Sequence, residues 1–278
     1  MGKFIMTGIV IIKEIKEFLE DTKEDAVSAY AAQAAFFIMM SAFPFIMLLL
    51  TLIQYLPVSE EVLIVMAQNT IPEAFNGYVI SLIEEIYAKP SVTIISVTFA
   101  AAIWTASKSF LAIIRGCNSV YDIKETRNYL RLRLLASLYT IIFAVVLLVT
   151  LTVMVFGNTI VAAVGEKLPI LGEMALFVIS LRTAVGFGVM LIFFLGLYVA
   201  VPNRKGRVTE EIPGAILTSI GWISFSYLFS FYIDHFANFD TYGSLTAIIF
   251  LMLWLYACMY MFFVGGEINV WIKKHKKR

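Results

Sequence analysis

Four ionisable side chains interrupt otherwise apolar runs of this chain: Lys108, Arg182, Asp234 and Glu267. Charged groups inside a bilayer are costly, and they face a bundle interior, an oppositely charged partner or a watery path. Together with Asn118, whose amide both donates and accepts, they form the candidate substrate or ion path. Arg182 lies about 10 Å down its segment at 1.5 Å per residue, and Asp234 sits near the same end of its own. An Arg182–Asp234 pair is therefore geometrically open. Lys108 and Glu267 fall towards the opposite ends of their segments and form a second candidate pair. The same spacing suits pairs that merely hold helices in register, and a Lys108 that snorkels to the interface. Pro44, in Ser41-Ala42-Phe43-Pro44, removes a backbone donor in mid-segment, which reads as a hinge or as a static kink. Gln33 on the same segment can bond to a neighbour, and Gly186, Gly188 and Gly196 read as points of close helix approach.

Catalytic patterns are missing. No Gly-x-x-x-x-Gly-Lys-Ser/Thr loop cradles phosphates, and no His-Glu-x-x-His or Gly-x-Ser-x-Gly occurs. The chain has two histidines, His235 and His275. His235, beside Asp234, reads as a proton site or an interfacial structural residue. A serine nucleophile without a histidine base lacks activation. Cys117 and Cys258 stand in apolar surroundings without metal-ligand spacing, and read as buried inert thiols. The expectation is a protein that is not an enzyme, with no catalytic residues, no metal, no cofactor and no nucleic-acid partner.

The elements that position these residues follow from composition. Of 278 residues, 60% are apolar and 15% charged, against about half and a quarter in soluble domains. A bilayer crossing takes about 20 mostly apolar residues. Six segments qualify, at 27–56, 91–114, 132–156, 174–201, 212–234 and 244–271. Lipid leaves an open backbone unsatisfied, so each is expected to be a helix. The fold class is all-α, a polytopic membrane protein read as a single domain over 1–278. Seventeen lysines and arginines fall on one side, while only Lys89 and Lys167 fall on the other. That asymmetry puts both termini in the cytoplasm. Residues 1–26 carry apolar positions at helical spacing, as a helix lying on the membrane or packed against the bundle. Met1 to Ile12 lacks the cleavage site of a signal peptide. Residues 57–90 read as one or two short amphipathic helices on the outer surface. The basic tail 272–278, with Lys273, Lys274, Lys276, Lys277 and Arg278, is expected to contact anionic lipid headgroups. Anionic membrane lipids are the expected partners, and a homo-oligomer is left open.

Several short motifs carry a family resemblance: Ser41-Ala42-Phe43-Pro44; Gly116-Cys117-Asn118-Ser119-Val120-Tyr121 followed by Arg127; Pro202-Asn203; Pro213-Gly214-Ala215; Tyr242-Gly243-Ser244-Leu245; Trp254-Leu255-Tyr256; and Gly265-Gly266-Glu267-Ile268-Asn269. In this order, over about residues 10–272, they resemble the YihY/BrkB family of bacterial envelope membrane proteins. Phe36-Phe37 stands where that family usually has a tyrosine, and Gly266 where Gly-Ala-Glu is common. The resemblance implies a six-helix, multi-pass protein of the bacterial cytoplasmic membrane, connected with envelope integrity. Members once carried a ribonuclease label, for which these residues offer neither a metal-ligand set nor a basic groove. Two expectations follow. One is a transporter or flippase-like facilitator for an amphipathic lipid or envelope precursor, with Arg182 on an anionic headgroup and Lys108, Asn118 and Glu267 at the inner side. The other is a scaffold that transports nothing.

Overall fold

A computed structural model describes residues 2–53, 59–70, 73–88, 92–146, 175–236 and 244–276. Among them run nine helices: α1 (Gly2–Glu24), α2 (Val27–Ile53), α3 (Glu60–Thr70), α4 (Glu73–Ala88), α5 (Val92–Val120), α6 (Tyr129–Val146), α7 (Ala175–Ala200), α8 (Val208–Phe236) and α9 (Ser244–Lys276). Five of them hold stretches long and apolar enough to cross a bilayer: α2, α5, α6, α8 and α9. In α7 the apolar stretch Gly186–Ala200 continues a helix of 26 residues, about 39 Å long at 1.5 Å per residue. The all-α, membrane-spanning expectation holds, and two short helices, α3 and α4, fall within 57–90, where the sequence predicts one or two. Lys89, Lys167, Lys277, Arg278, the end of the third span beyond Val146, and the side chains of Arg182 and Asp234 lie outside the described residues.

Local signals set the helix ends. Between α1 and α2 the chain turns at Ala26, whose φ of 52° is left-handed and unfavourable for a residue with a Cβ. At the end of α5, Asp122 takes a φ of 49°, and the Ile123 N–H returns to the Asn118 carbonyl at 2.8 Å, closing the helix by a left-handed cap. Asn128 Oδ1 accepts the Arg131 N–H at 2.9 Å, an N-cap that starts α6. α2 runs through Pro44 without ending.

The helices pack in an order that composition could not give. α2 lies against α5 on one side and α9 on the other, α9 against α8, and α8 against α7. α6 joins α5 to α7: Phe110 meets Tyr139 and Phe143, and Phe143 meets Phe193. The core gathers Ala31, Ala34, Ile114, Cys117, Phe194, Tyr198, Phe262 and Phe263. Outside it the helices expose apolar side chains, among them Leu134, Ile192, Tyr227 and Leu228, a surface suited to lipid. α3 and α4 pack on each other, with smaller contacts from α4 to α2 and α9. They follow the end of α2 that lies away from the α1–α2 turn.

Close approach occurs at different glycines from those expected. A Cβ at Gly186, Gly188 or Gly196 would meet nothing within 4 Å among the described residues. The tight crossing is α8 on α9, where a Cβ at Gly265 would collide with the Thr218 hydroxyl, the Tyr198 hydroxyl and the Gly214 carbonyl. Alanine is the better helix former by about 1 kcal/mol, but overpacking a filled contact costs about 1–3 kcal/mol. Gly265→Ala is therefore expected to lower the apparent melting temperature of the purified protein in detergent, and Gly196→Ala to leave it unchanged or raise it.

Candidate functional site

The polar residues of the bundle divide into a closed group, paired within the protein, and an open group that is not. The closed group sits where α5 ends and α8 begins. Glu211, in the first turns of α8, is 1% exposed. Its Oε2 accepts from Tyr121 Oη at 2.6 Å and from Asn269 Nδ2 at 3.0 Å, and its Oε1 accepts from Arg204. The Arg204 guanidinium lies over the Tyr121 ring, 3.9 Å from its centroid. Burial, then the neighbouring Glu211 charge, raises the Tyr121 phenol well above its usual value, so it remains a donor. Asn269 also accepts the Gly214 N–H through Oδ1 at 2.6 Å.

Asn118 extends this group. Its Oδ1 accepts the Asn203 N–H at 2.8 Å and its Nδ2 donates to Glu125 Oε2 at 2.7 Å. Glu125 is gripped by the side chain of Arg127, at 2.8 and 2.7 Å, and by its backbone N–H at 2.9 Å. That clamp pulls the Glu125 carboxyl down to about 2. Asn118 thus braces two loops with both ends of its amide occupied, instead of lining an open path.

Glu267 does not meet Lys108. Gly266 abuts Val120 and Tyr121, which sets Glu267 level with the end of α5. Lys108 is twelve residues back along α5, about 18 Å away at 1.5 Å per residue. Glu267 is instead buried on the side of the α1–α2 turn that carries Asp25, and its Oε1 has no hydrogen-bond partner among the described residues. Burial raises the Asp25 carboxyl above its usual value.

The basic end of α9 is largely paired. Lys273 bonds to Glu210, and Lys274 to Asp21 at 2.8 Å; His275 faces Glu14 at 3.8 Å. Lys276 is exposed. The α1 residues Ile12, Ile15 and Leu19 project outward on one face. The residues 272–276 are not a tail but the last turn of a helix.

The open group is a cleft of about 210 Å³ between α2, α5 and α6, lined by Gln33, Phe37, Trp104, Lys108, Leu111, Ala112, Arg115, Tyr129 and Arg133. Helical spacing builds it. Gln33 and Phe37 are four apart on α2, Tyr129 and Arg133 four apart on α6, and Trp104, Lys108, Leu111 and Arg115 share one face of α5. Arg133 is buried, 4.2 Å from the Trp104 ring, and donates to the Trp104 carbonyl at 2.8 Å. Lys108 Nζ stands 5.5 Å from the Phe37 ring. No carboxylate lines the cleft among the described residues. Sequence reasoning picked out Lys108 but counted Arg115 and Arg133 only as loop charges. The clue was available, because Arg115 lies seven residues after Lys108 and so on its face. Among the described residues, no group of three or more His, Cys, Asp or Glu could hold a metal.

Comparison with known proteins agrees with this architecture. Residues 18–278 match the family described as Virulence factor BrkB. The ribonuclease-like protein YfkH of Bacillus subtilis (strain 168) is 36% identical over 252 residues, covering 89% of this chain and 90% of that protein. A UPF0761 membrane protein of Aliivibrio fischeri (strain ATCC 700601 / ES114) is 29% identical, covering 88% of this chain and 78% of its own length. A third, UPF0761 membrane protein VP0125 of Vibrio parahaemolyticus serotype O3:K6 (strain RIMD 2210633), is 27% identical over 91% of this chain and 80% of its own. No solved structure matches the chain. The chain belongs to the BrkB family.

The Glu125 clamp has a definite pH signature. A carboxyl depressed in the folded state stabilises fully above its unfolded value of about 4.3, and that stabilisation is lost as pH falls through about 2. Glu125→Gln should therefore lower the melting temperature at pH 7, and the gap to the parent protein should shrink as the pH is taken from 4 towards 2.

Proposed function

We propose that this BrkB-family membrane protein is a transporter or flippase-like facilitator for an amphipathic lipid or envelope precursor. It works in the bacterial cytoplasmic membrane, with both chain ends in the cytoplasm. The observation that carries the reading is the cleft between α2, α5 and α6. Its interior is cationic and its rim is aromatic, with Trp104 and Tyr129 exposed. Arg115 and Lys108 stand about 8 and 18 Å along α5 from Val120, at 1.5 Å per residue. A polar headgroup following them would move from the interface towards the middle of the bilayer while its chains stayed in lipid. The charge asymmetry supports the orientation. The Asp21–Lys274 bond supports placing the ends of α1 and α9 on one face.

The closed group around Glu211 favours a second reading, a scaffold that binds lipid or envelope proteins and transports nothing. Both oxygens of the Glu211 carboxylate are met by donors from within the protein, as a rigid brace requires. A hinge at Pro44 belongs to the transport reading alone.

Reconstitution distinguishes the two. The full chain is placed in vesicles carrying fluorescent phosphatidylglycerol or phosphatidylcholine, and the outer leaflet is bleached with and without a proton gradient. Transport predicts leaflet exchange faster than in protein-free vesicles. Exchange no faster than in empty vesicles, for every lipid and gradient, removes that reading and leaves the scaffold.

A further inference from the structure

We infer that the α2–α5–α6 cleft is a binding site for a phosphate-bearing anionic headgroup, held by Lys108, Arg115 and Arg133. This deepens the reading above and rests on it for the membrane setting, though not for transport itself.

Charge complementarity is the first argument. Three cations converge on one cleft that no carboxylate lines among the described residues. Four cations at the basic end are each paired with a carboxylate: Arg127 with Glu125, Arg204 with Glu211, Lys273 with Glu210 and Lys274 with Asp21. The difference follows position. Each of these pairs lies at the basic end, while Lys108 stands about 18 Å along α5 from that end, within the apolar stretch Ser96–Val120. A cation at such depth implies a partner. The Phe37 ring, 5.5 Å from Nζ, supplies only part of one.

Preorganisation is the second. The Arg133 guanidinium is pinned by one hydrogen bond to the Trp104 carbonyl and by the Trp104 ring. Its remaining N–H groups keep the planar fork that suits phosphate oxygens. Gln33 adds an amide that can donate beside them. Zwitterionic headgroups carry an ammonium that would find no acid among the described lining residues, so the lining selects net negative charge.

Size is the third argument. A cleft of about 210 Å³ is below the ~300–1,000 Å³ of sites that enclose a whole ligand. It accommodates a headgroup and leaves acyl chains outside, against exposed Trp104, Leu130 and Leu134.

The test is native mass spectrometry of the purified full chain with phosphatidylglycerol, phosphatidylcholine and inorganic phosphate. The parent protein should retain phosphatidylglycerol over phosphatidylcholine. K108Q/R133Q should weaken that retention about tenfold or more, the loss expected for charge-assisted hydrogen bonds. K108Q alone leaves the Arg133–Trp104 contact in place, and it should still weaken retention if the double variant does not fold. K13Q/K16Q removes the same charge from exposed sites on α1, and retention should not change. Displacement of phosphatidylglycerol by inorganic phosphate would support the site with free phosphate as a source; no displacement would support it with the lipid as source. Equal retention of both lipids, or equal losses in K13Q/K16Q and K108Q/R133Q, overturns it. Selective binding without leaflet exchange removes transport and keeps the site. Exchange of phosphatidylglycerol undiminished in K108Q/R133Q overturns the site and keeps transport.

Discussion

A carboxylate at the start of α8, almost wholly out of solvent, governs how one end of this bundle closes. Burying a carboxylate without partners costs several kcal/mol or more, so the buried Glu211 calls for donors at both of its oxygens. They come from three separate places: Tyr121 after α5, Arg204 before α8 and Asn269 in α9. Because each donor belongs to a different stretch, satisfying one side chain fixes the relative heights of α5, α8 and α9. The contact of Gly214 with Gly265 fits the same register, since it brings the Gly214 N–H to Asn269. Tyr198 adds α7 through the Thr218 hydroxyl, 2.7 Å away, and the Phe262 carbonyl.

With that end locked, the asymmetry of the bundle gains a physical meaning. At the closed end Glu211, Tyr121, Asn269 and Asn118 answer one another or the neighbouring loops. Across α5, the face carrying Lys108 and Arg115 turns to α6, where Arg133 adds a third positive charge and no acid among the described residues balances it. The first arrangement gives rigidity. The second leaves positive potential inside a low-dielectric wall, where electrostatic attraction is strongest. A rigid end beside an unsatisfied lateral cleft is what a headgroup site needs, because the cations keep their places whether or not an anion is present.

Much of the architecture was legible from apolar run length. The α1–α2 break fell at residue 26 because acids and lysines stop there and a long apolar run begins. α3 and α4 were visible because Pro57 and Pro72 bound short apolar stretches, whereas Gly77 lies inside α4 without breaking it. Helix ends were less legible: α5 runs to Val120 and α9 to Lys276, past the spans read from hydropathy. Their polar last turns are helical because neighbouring segments answer them, and hydropathy does not report partners. The same limit affected the pairing of Lys108 with Glu267. Both looked like inner-side residues, but their heights depend on Gly266 meeting Val120, a contact between residues far apart in sequence. Lys108 itself stood out as an ion in an apolar run. Arg115 and Arg133 did not, because a count of charges by side of the membrane discards the direction in which each one points.

An experimental structure of the full chain in phosphatidylglycerol-containing nanodiscs tests the central claim most directly. The account predicts density for a phosphate group between Lys108, Arg115 and Arg133, with acyl chains running outward past Trp104. It also predicts Glu211 still held by Tyr121, Arg204 and Asn269. A cleft filled by protein side chains, or Lys108 turned away into an ion pair with a carboxylate, would contradict it.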